Sequence, residues 1–313
     1  MAINKYMRAY MKAALKAISY REPDEKEFYK IHRRLLNAVN RNLVRPFYKI
    51  WDHEVDAGDH RVPVRIFSPK VTGHYPVFLF FHGGGWVTGN IDSYDKVCNN
   101  LAKHTNCTVV SVDYRLAPEH KFPEAVDDCY AVAKEFFTHP HLLGTEARDI
   151  TLIGDSAGGN LAAAVSLMAM EKKEFMPQRQ ILLYPVTYYD HTPASPFPSI
   201  IDNGTSYLLT SKRVQEYMEM YMSGEEDLHN PYFAPLTAKS LKGQPRTMVI
   251  SCEFDPLRDE GEEYGRRLRA DGVDVTIHRM KDALHGFFSL GPHFPHVKLT
   301  YQYINEFLKE VKD

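Results

Sequence analysis

The stretch Asp149–Met170, DITLIGDSAGGNLAAAVSLMAM, decides how this chain is read. Its opening, Ile150–Ile153, is short, apolar and partly β-branched, as a buried strand requires. From Ala157 onward it is rich in Ala, Leu and Met, which favour a helix. Between the two stands Gly154-Asp155-Ser156-Ala157-Gly158, a G-x-S-x-G. A tight strand-to-helix turn lifts a serine oxygen clear of a sheet, and flanking glycines let the backbone pass without Cβ clashes. At average composition the bare pattern turns up in roughly one chain of this length in ten, so its placement matters more than its presence. Ser156 is a candidate nucleophile. The bland alternative is a Gly-rich turn with a capping serine.

Outward from this unit the same alternation continues. Candidate strands are Val62–Phe67, Val77–Phe81, Thr108–Val112, Ile181–Tyr184, Met248–Cys252 and Val273–His278, each bounded by Gly, Pro, Asp or Asn. VFLFF and TVVSV are continuous apolar runs, which suits strands covered on both faces of a parallel sheet. Helical patterns lie between and after them, at Tyr94–His104, Glu124–Phe137, Ala157–Lys173, Glu260–Ala270 and Val297–Val311. Strands alternating with helices predict an α/β sheet built of crossover units. Two segments break the rhythm. Residues 1–45 read as helical, and residues 187–238 are proline-rich with one helix, Ser211–Met222. A long insertion with a helix of its own is usually a lid. The expected organisation is N-terminal helices over 1–45 as part of a cap, core over 46–186, cap insertion over 187–238, and core again over 239–313.

Composition narrows the class. The chain has 313 residues, 44% of them apolar and 25% charged, with a net charge of −2. This excludes a disordered chain, a collagen-like repeat or a coiled-coil rod. Balanced charge removes the basic footprint of a nucleic-acid binder, and no apolar run is long enough to span a membrane. Cys98, Cys107, Cys129 and Cys252 form no C-x-x-C pair and are too sparse for a disulfide scaffold, so a reducing, cytoplasmic compartment is expected. At the N-terminus Lys5, Arg8, Lys12 and Lys16 interrupt any signal-like apolar stretch. Ile3, Met7, Tyr10, Met11, Ala14 and Ile18 share one helical face, which reads as packing on the protein's own body rather than on a membrane surface.

The chemistry gathers at strand ends. PVFLFFHGGGWVTG sets His82-Gly83-Gly84-Gly85 after a strand. Consecutive glycines let backbone N–H groups converge on a small anion, such as the oxygen of a tetrahedral acyl-transfer intermediate. A nucleophilic serine needs a base, and the base an orienting carboxylate. His285, in MKDALHGFF after the last strand, is the candidate base, whereas His278 belongs to the strand and reads as a packing or surface residue. Asp255, in CEFDPLRDEG, is the candidate acid. It would equally serve as a helix N-cap before Pro256, and Glu253 is the reserve. Ser156, Asp255 and His285 follow in the chain order of the α/β-hydrolases. That order excludes a chymotrypsin-like protease. His293 and His296 lack a carboxylate or cysteine at metal-ligand spacing.

HGGGW, YRLAPEHKFPEAVDD, GDSAGGNLAA, EFDPLRDEG and the late HGF together closely resemble the bacterial hormone-sensitive-lipase-like esterases, a family of the α/β-hydrolases. The resemblance runs from about residue 50 to the end, and the N-terminal helices match only in character. It implies Ser156 as nucleophile, His285 as general base and acid, and Asp255 as orienting acid. It places the oxyanion hole on the N–H groups of Gly84, Gly85 and Ala157, with His82 bracing the glycine loop. The expected activity is that of a serine carboxylesterase on short- to medium-chain acyl esters, without metal or organic cofactor. The partner is a small-molecule ester rather than nucleic acid or membrane, and a homo-oligomer is compatible. Alternatives are an aryl amide or lipid hydrolase of the same fold, or a hydrolase-like ligand-binding module, against which the presence of His285 speaks.

Overall fold

A computed structural model describes residues 29, 30, 33, 49–69 and 73–309. Its centre is an eight-stranded sheet in the order β1-β2-β4-β3-β5-β6-β7-β8. The strands are β1 (Lys49–Asp56), β2 (Arg61–Ser68), β3 (Val77–Phe81), β4 (Thr108–Val112), β5 (Ile150–Asp155), β6 (Arg179–Leu183), β7 (Arg246–Phe254) and β8 (Val275–Leu284). β1 and β2 form an antiparallel hairpin, β2 runs antiparallel to β4, and every later pairing is parallel. The helices are α1 (Ile91–Thr105), α2 (Glu124–Thr138), α3 (Ala157–Lys172), the short α4 (Ser199–Asp202), α5 (Ser211–Tyr221), α6 (Arg258–Ala270) and α7 (Pro295–Lys309).

Side chains alternate across a strand, so the apolar runs serve two cores at once. Phe78, Phe80, Val109, Ile153, Ile181 and Leu183 face one side, against Cys98 and Leu101 of α1 and Tyr301 and Ile304 of α7. Val77, Leu79, Phe81, Val110, Leu152 and Leu182 face the other, against α2, α3 and α6. β3 and β4 are buried at every position, which explains why their sequences carry no polar alternation. α3 is buried nearly all round, and its Ala-rich sequence, with no distinct polar face, is what such a position demands. α1 begins one turn earlier than the sequence suggests, because Asn90 and Ser93 close a reciprocal capping box. All four cysteines are buried free thiols.

β1 was not anticipated. It is an edge strand whose residues Trp51–Glu54 are all exposed, so it carries no buried run to betray it. β8 starts two residues later than expected and continues to Leu284, passing an irregularity opposite Cys252 and Phe254. The face expected from Ile3 to Ile18 lies outside the described residues, as does the end of the last helix beyond Lys309.

The segment between β6 and β7 contains α4 and α5, the latter one residue shorter than expected. Buried polar groups fasten it to the core. Glu260 on α6 accepts from the N–H groups of Thr187 and Tyr188 at 2.6 and 3.2 Å, and pairs with His191 at 2.8 Å. Asn160 on α3 donates to the carbonyls of Val186 and Phe233, tying both ends of the segment to one helix.

Because β3, β5, β6, β7 and β8 are parallel, their C-terminal ends share one edge of the sheet, where ligands of open α/β sheets bind. His82 follows β3, Ser156 follows β5, Asp255 follows β7 and His285 follows β8.

Candidate active site

Ser156 occupies the turn between β5 and α3 with φ of 56° and ψ of −119°. A non-glycine residue held there stores strain of about 1–3 kcal/mol, which the surroundings must over-determine. Its N–H donates to the Leu183 carbonyl at 2.9 Å, and its carbonyl accepts from Asn160 N–H at 3.1 Å. The two flanking glycines are dictated by space. A Cβ on Gly154 would lie 2.1 Å from the Gly158 carbonyl oxygen, and one on Gly158 would lie 2.0 Å from that of Phe81. The Ser156 side chain is half-buried rather than largely exposed, as a bare elbow would leave it.

His285 joins β8 to the end of β7. Its Nε2 stands 2.9 Å from Ser156 Oγ and its Nδ1 stands 2.7 Å from Asp255 Oδ2. Asp255 is fully buried, and its other carboxylate oxygen accepts from Leu257 N–H at 2.9 Å within a turn. It is not the N-cap expected from Pro256, because α6 begins only at Arg258, with Leu257 as its N-cap residue and no side-chain cap. Asn203, from the segment after β6, donates to the carbonyls of both Glu253 and Asp255. The Glu253 carboxylate turns away and accepts from the backbone N–H of Asp282 at 2.7 Å. His278 stacks on Tyr303 at 3.8 Å between ring centroids, and His296 bonds to the Lys281 carbonyl.

The glycine run folds into a turn beside the elbow. Gly84 and Gly85 have φ of 127° and 63°, open without strain only to glycine. The Gly84 carbonyl accepts from the N–H groups of Val87 and Thr88. Among the described residues, the N–H groups of Gly84, Gly85 and Ala157 have no acceptor in the protein. His82 is fully buried. Its Nδ1 faces the Gly83 carbonyl at 2.9 Å, its ring stacks on Tyr114, and Tyr114 OH donates to the His82 carbonyl at 2.6 Å. Burial pulls the imidazole down to about 4, so His82 stays neutral across the ordinary range. Tyr217 of α5 lies against Gly85, where an added Cβ would come within 2.3 Å of its ring.

Sequence reasoning missed Asp155, Tyr94 and Tyr184. Asp155 ends an otherwise apolar strand, and Gly83 N–H reaches its carboxylate at 2.8 Å. Tyr94 OH donates to the same group at 3.1 Å. A charged residue closing the apolar run ITLIG was the one available signal. An open depression of about 1060 Å³, lined by charged side chains such as His60, Arg115, Asp128 and Lys134, contains none of these groups.

Comparison with known proteins assigns the fold and the family. A family described as alpha/beta hydrolase fold matches residues 78–289, more than half of the chain. An arylesterase of Saccharolobus solfataricus is 35% identical over 287 residues, covering 91% of this chain and 90% of the relative. The chain belongs to the hormone-sensitive-lipase-like esterases of the α/β-hydrolase fold. As an esterase of this family it is a carboxylic ester hydrolase, and its substrates are esters. An ethyl acetate hydrolase of Pseudomonas putida is 32% identical, covering 74% of this esterase and 73% of the relative. The solved structure of a hyperthermophilic esterase from Pyrobaculum calidifontis superposes with a TM-score of 0.87 at 32% identity, covering 99% of this esterase and 98% of that chain. Among the described residues, no helix of the esterase is long and apolar enough to cross a membrane.

Proposed function

We propose that this carboxylesterase hydrolyses short- to medium-chain acyl esters through a Ser156–His285–Asp255 triad and an acyl-enzyme. The observation that carries the reading is the unbroken chain from Asp255 Oδ2 through both nitrogens of His285 to Ser156 Oγ, at 2.7 and 2.9 Å. Ser156 Oγ attacks the ester carbonyl carbon while its proton passes to His285 Nε2. Asp255 accepts from Nδ1–H, holding the tautomer that leaves Nε2 free and stabilising the imidazolium that forms. The carbonyl oxygen becomes an oxyanion and takes hydrogen bonds from Gly84, Gly85 and Ala157, whose N–H groups are otherwise unengaged. Collapse breaks the ester C–O bond, and His285 returns its proton to the departing alcohol. Water then surrenders a proton to His285 and attacks the acyl-enzyme through a second oxyanion; as the acyl–Oγ bond breaks, His285 returns that proton to Ser156 Oγ and the acid leaves.

The segment 187–238 and the helices of 1–45 are proposed as a cap over this site. Two contacts support it: Tyr217 against Gly85, and Arg33, whose guanidinium donates to the carbonyls of Val87 and Ala117 and pairs with Glu119. The name of the ethyl acetate hydrolase relative supports a short acyl preference. Buried free thiols support a reducing, cytoplasmic setting.

A fluorophosphonate tests the reading. It should label Ser156 stoichiometrically and abolish esterase activity, and nitrophenyl esters should give a burst of one nitrophenol per site if deacylation is the slower step. Full activity in a protein labelled at Ser156 would overturn it.

A further inference from the structure

We propose that Asp155 is a positioning residue, holding the oxyanion loop at Gly83 and backing the ring of His285 through Tyr184. The inference rests on the triad reading above and extends it to a second carboxylate. Asp155 is the last residue of β5, adjoins Ser156, and is 5% exposed. Its two oxygens serve two different neighbours. Oδ1 accepts Gly83 N–H at 2.8 Å, and Oδ2 accepts Tyr94 OH at 3.1 Å with Tyr184 OH at 3.5 Å. Gly83 N–H also points at Tyr94 OH, at 3.1 Å.

The first arm reaches the donors of the oxyanion hole. Gly83 immediately precedes Gly84 and Gly85, whose torsions suit glycine and are correspondingly soft. A loop of such residues takes its aim from its anchors, and the anchor at its entrance is the Asp155 carboxylate. The second arm reaches the base. The Tyr184 ring meets His285 edge to face, with centroids 4.9 Å apart. Tyr184 itself is held with φ of 37°, a left-handed conformation that a bulky residue keeps only when its surroundings enforce it.

The groups facing Asp155 are Tyr94 of α1, Tyr184 after β6 and His285 after β8, with Cys98 and Tyr114 further off. Burial pushes its carboxyl up to about 6, against the pull of Gly83 N–H, Tyr94 OH and His285. On protonation, the Oδ2 hydroxyl would have to donate to Tyr94, displacing the O–H that now donates to it. The negative charge near the imidazolium would vanish in the same step. Turnover is therefore fastest with a neutral imidazole at His285 and an ionised Asp155.

The experiment measures kcat and KM for nitrophenyl acetate against pH in the wild type, Asp155→Asn and Tyr94→Phe, with Ser156→Ala as the inactive reference. The wild-type acid limb of kcat/KM should need two ionisations. Asp155→Asn should need one, with kcat lowered about tenfold or more and KM within about threefold, because the oxyanion contact exists only in the transition state. Tyr94→Phe should move the second ionisation to higher pH, since Asp155 loses a donor to its charged form. Wild-type kcat with an unaltered limb in Asp155→Asn, or an effect on KM alone, would overturn the proposal. If Asp155→Asn fails to fold, an unmoved limb in Tyr94→Phe does so. Activity surviving in Ser156→Ala would instead remove the triad reading, so the two failures are distinguishable.

Discussion

Nε2 of His285 lies 2.9 Å from Oγ of Ser156 although 129 positions separate them in the chain. The contact arises because β5 and β8 are parallel members of one sheet and release their next residues at the same edge. It requires no local attraction between the two segments.

Ser156→Ala should abolish ester hydrolysis while leaving the melting temperature within a few degrees, since a half-buried hydroxyl contributes about 1 kcal/mol or less. Asp255→Asn should lower kcat by up to about 10⁴-fold with little change in KM, because an amide in place of the carboxylate favours the wrong imidazole tautomer. If Glu253→Gln has the larger effect on kcat, Asp255 is not the orienting acid.

Stability against pH should reveal two buried groups with opposite signs. His82 titrates at about 4 when folded against 6.5 in the unfolded chain. Between those values the unfolded state binds the extra proton, so stability is lost as pH falls, by about 3 kcal/mol. Asp155 titrates at about 6 when folded against 3.8 unfolded, so over nearly the same window stability is lost as pH rises, by a similar amount. The two slopes nearly cancel in the wild type. Relative to the wild type, denaturant unfolding between pH 4 and 6.5 should therefore show stability rising more steeply with pH in Asp155→Asn and less steeply in His82→Gln. Parallel profiles for all three proteins would contradict it.

Gly85→Ala should lose most activity, since its Cβ would stand 2.3 Å from the Tyr217 ring at a φ of 63°. Ring and loop cannot both keep their places. Combining it with Tyr217→Ala should recover part of kcat by making room, though not all, because the left-handed backbone strain of about 1 kcal/mol remains. Equal activity in the single and double variants would mean that the ring yields without disturbing the loop.

Removal of residues 1–45 should alter acyl-chain preference. If this segment covers the acyl site, each CH₂ that loses its burial forfeits about 0.8 kcal/mol, so kcat/KM should fall most for long chains and least for acetate. The comparison must be made on monodisperse protein, because exposed cap-facing surface promotes aggregation. An unchanged chain-length profile would mean that this segment does not cover the acyl site.

What could be read from the residues alone was whatever is decided locally. Gly154 and Gly158 mark the elbow because a Cβ at either would strike backbone, and three glycines after VFLFF mark a loop no other residue tolerates. β3, β4 and β5 declare themselves through uninterrupted apolar runs, since both faces of each are covered. β1 could not, because an exposed edge strand obeys no burial pattern, and its antiparallel pairing with β2 leaves no mark in composition. Near neighbours were equally opaque. Asp255 and Glu253 stand two residues apart at the end of one strand, and only the path of the chain turns the first toward His285 and the second toward Asp282. Asp155 was the furthest from view: its partners Gly83, Tyr94 and Tyr184 lie 72, 61 and 29 positions away. The stereochemistry of a turn is written in the few residues that make it, whereas the environment of a buried carboxyl is set by strands and helices distant in sequence, and exists only once the sheet has closed around it.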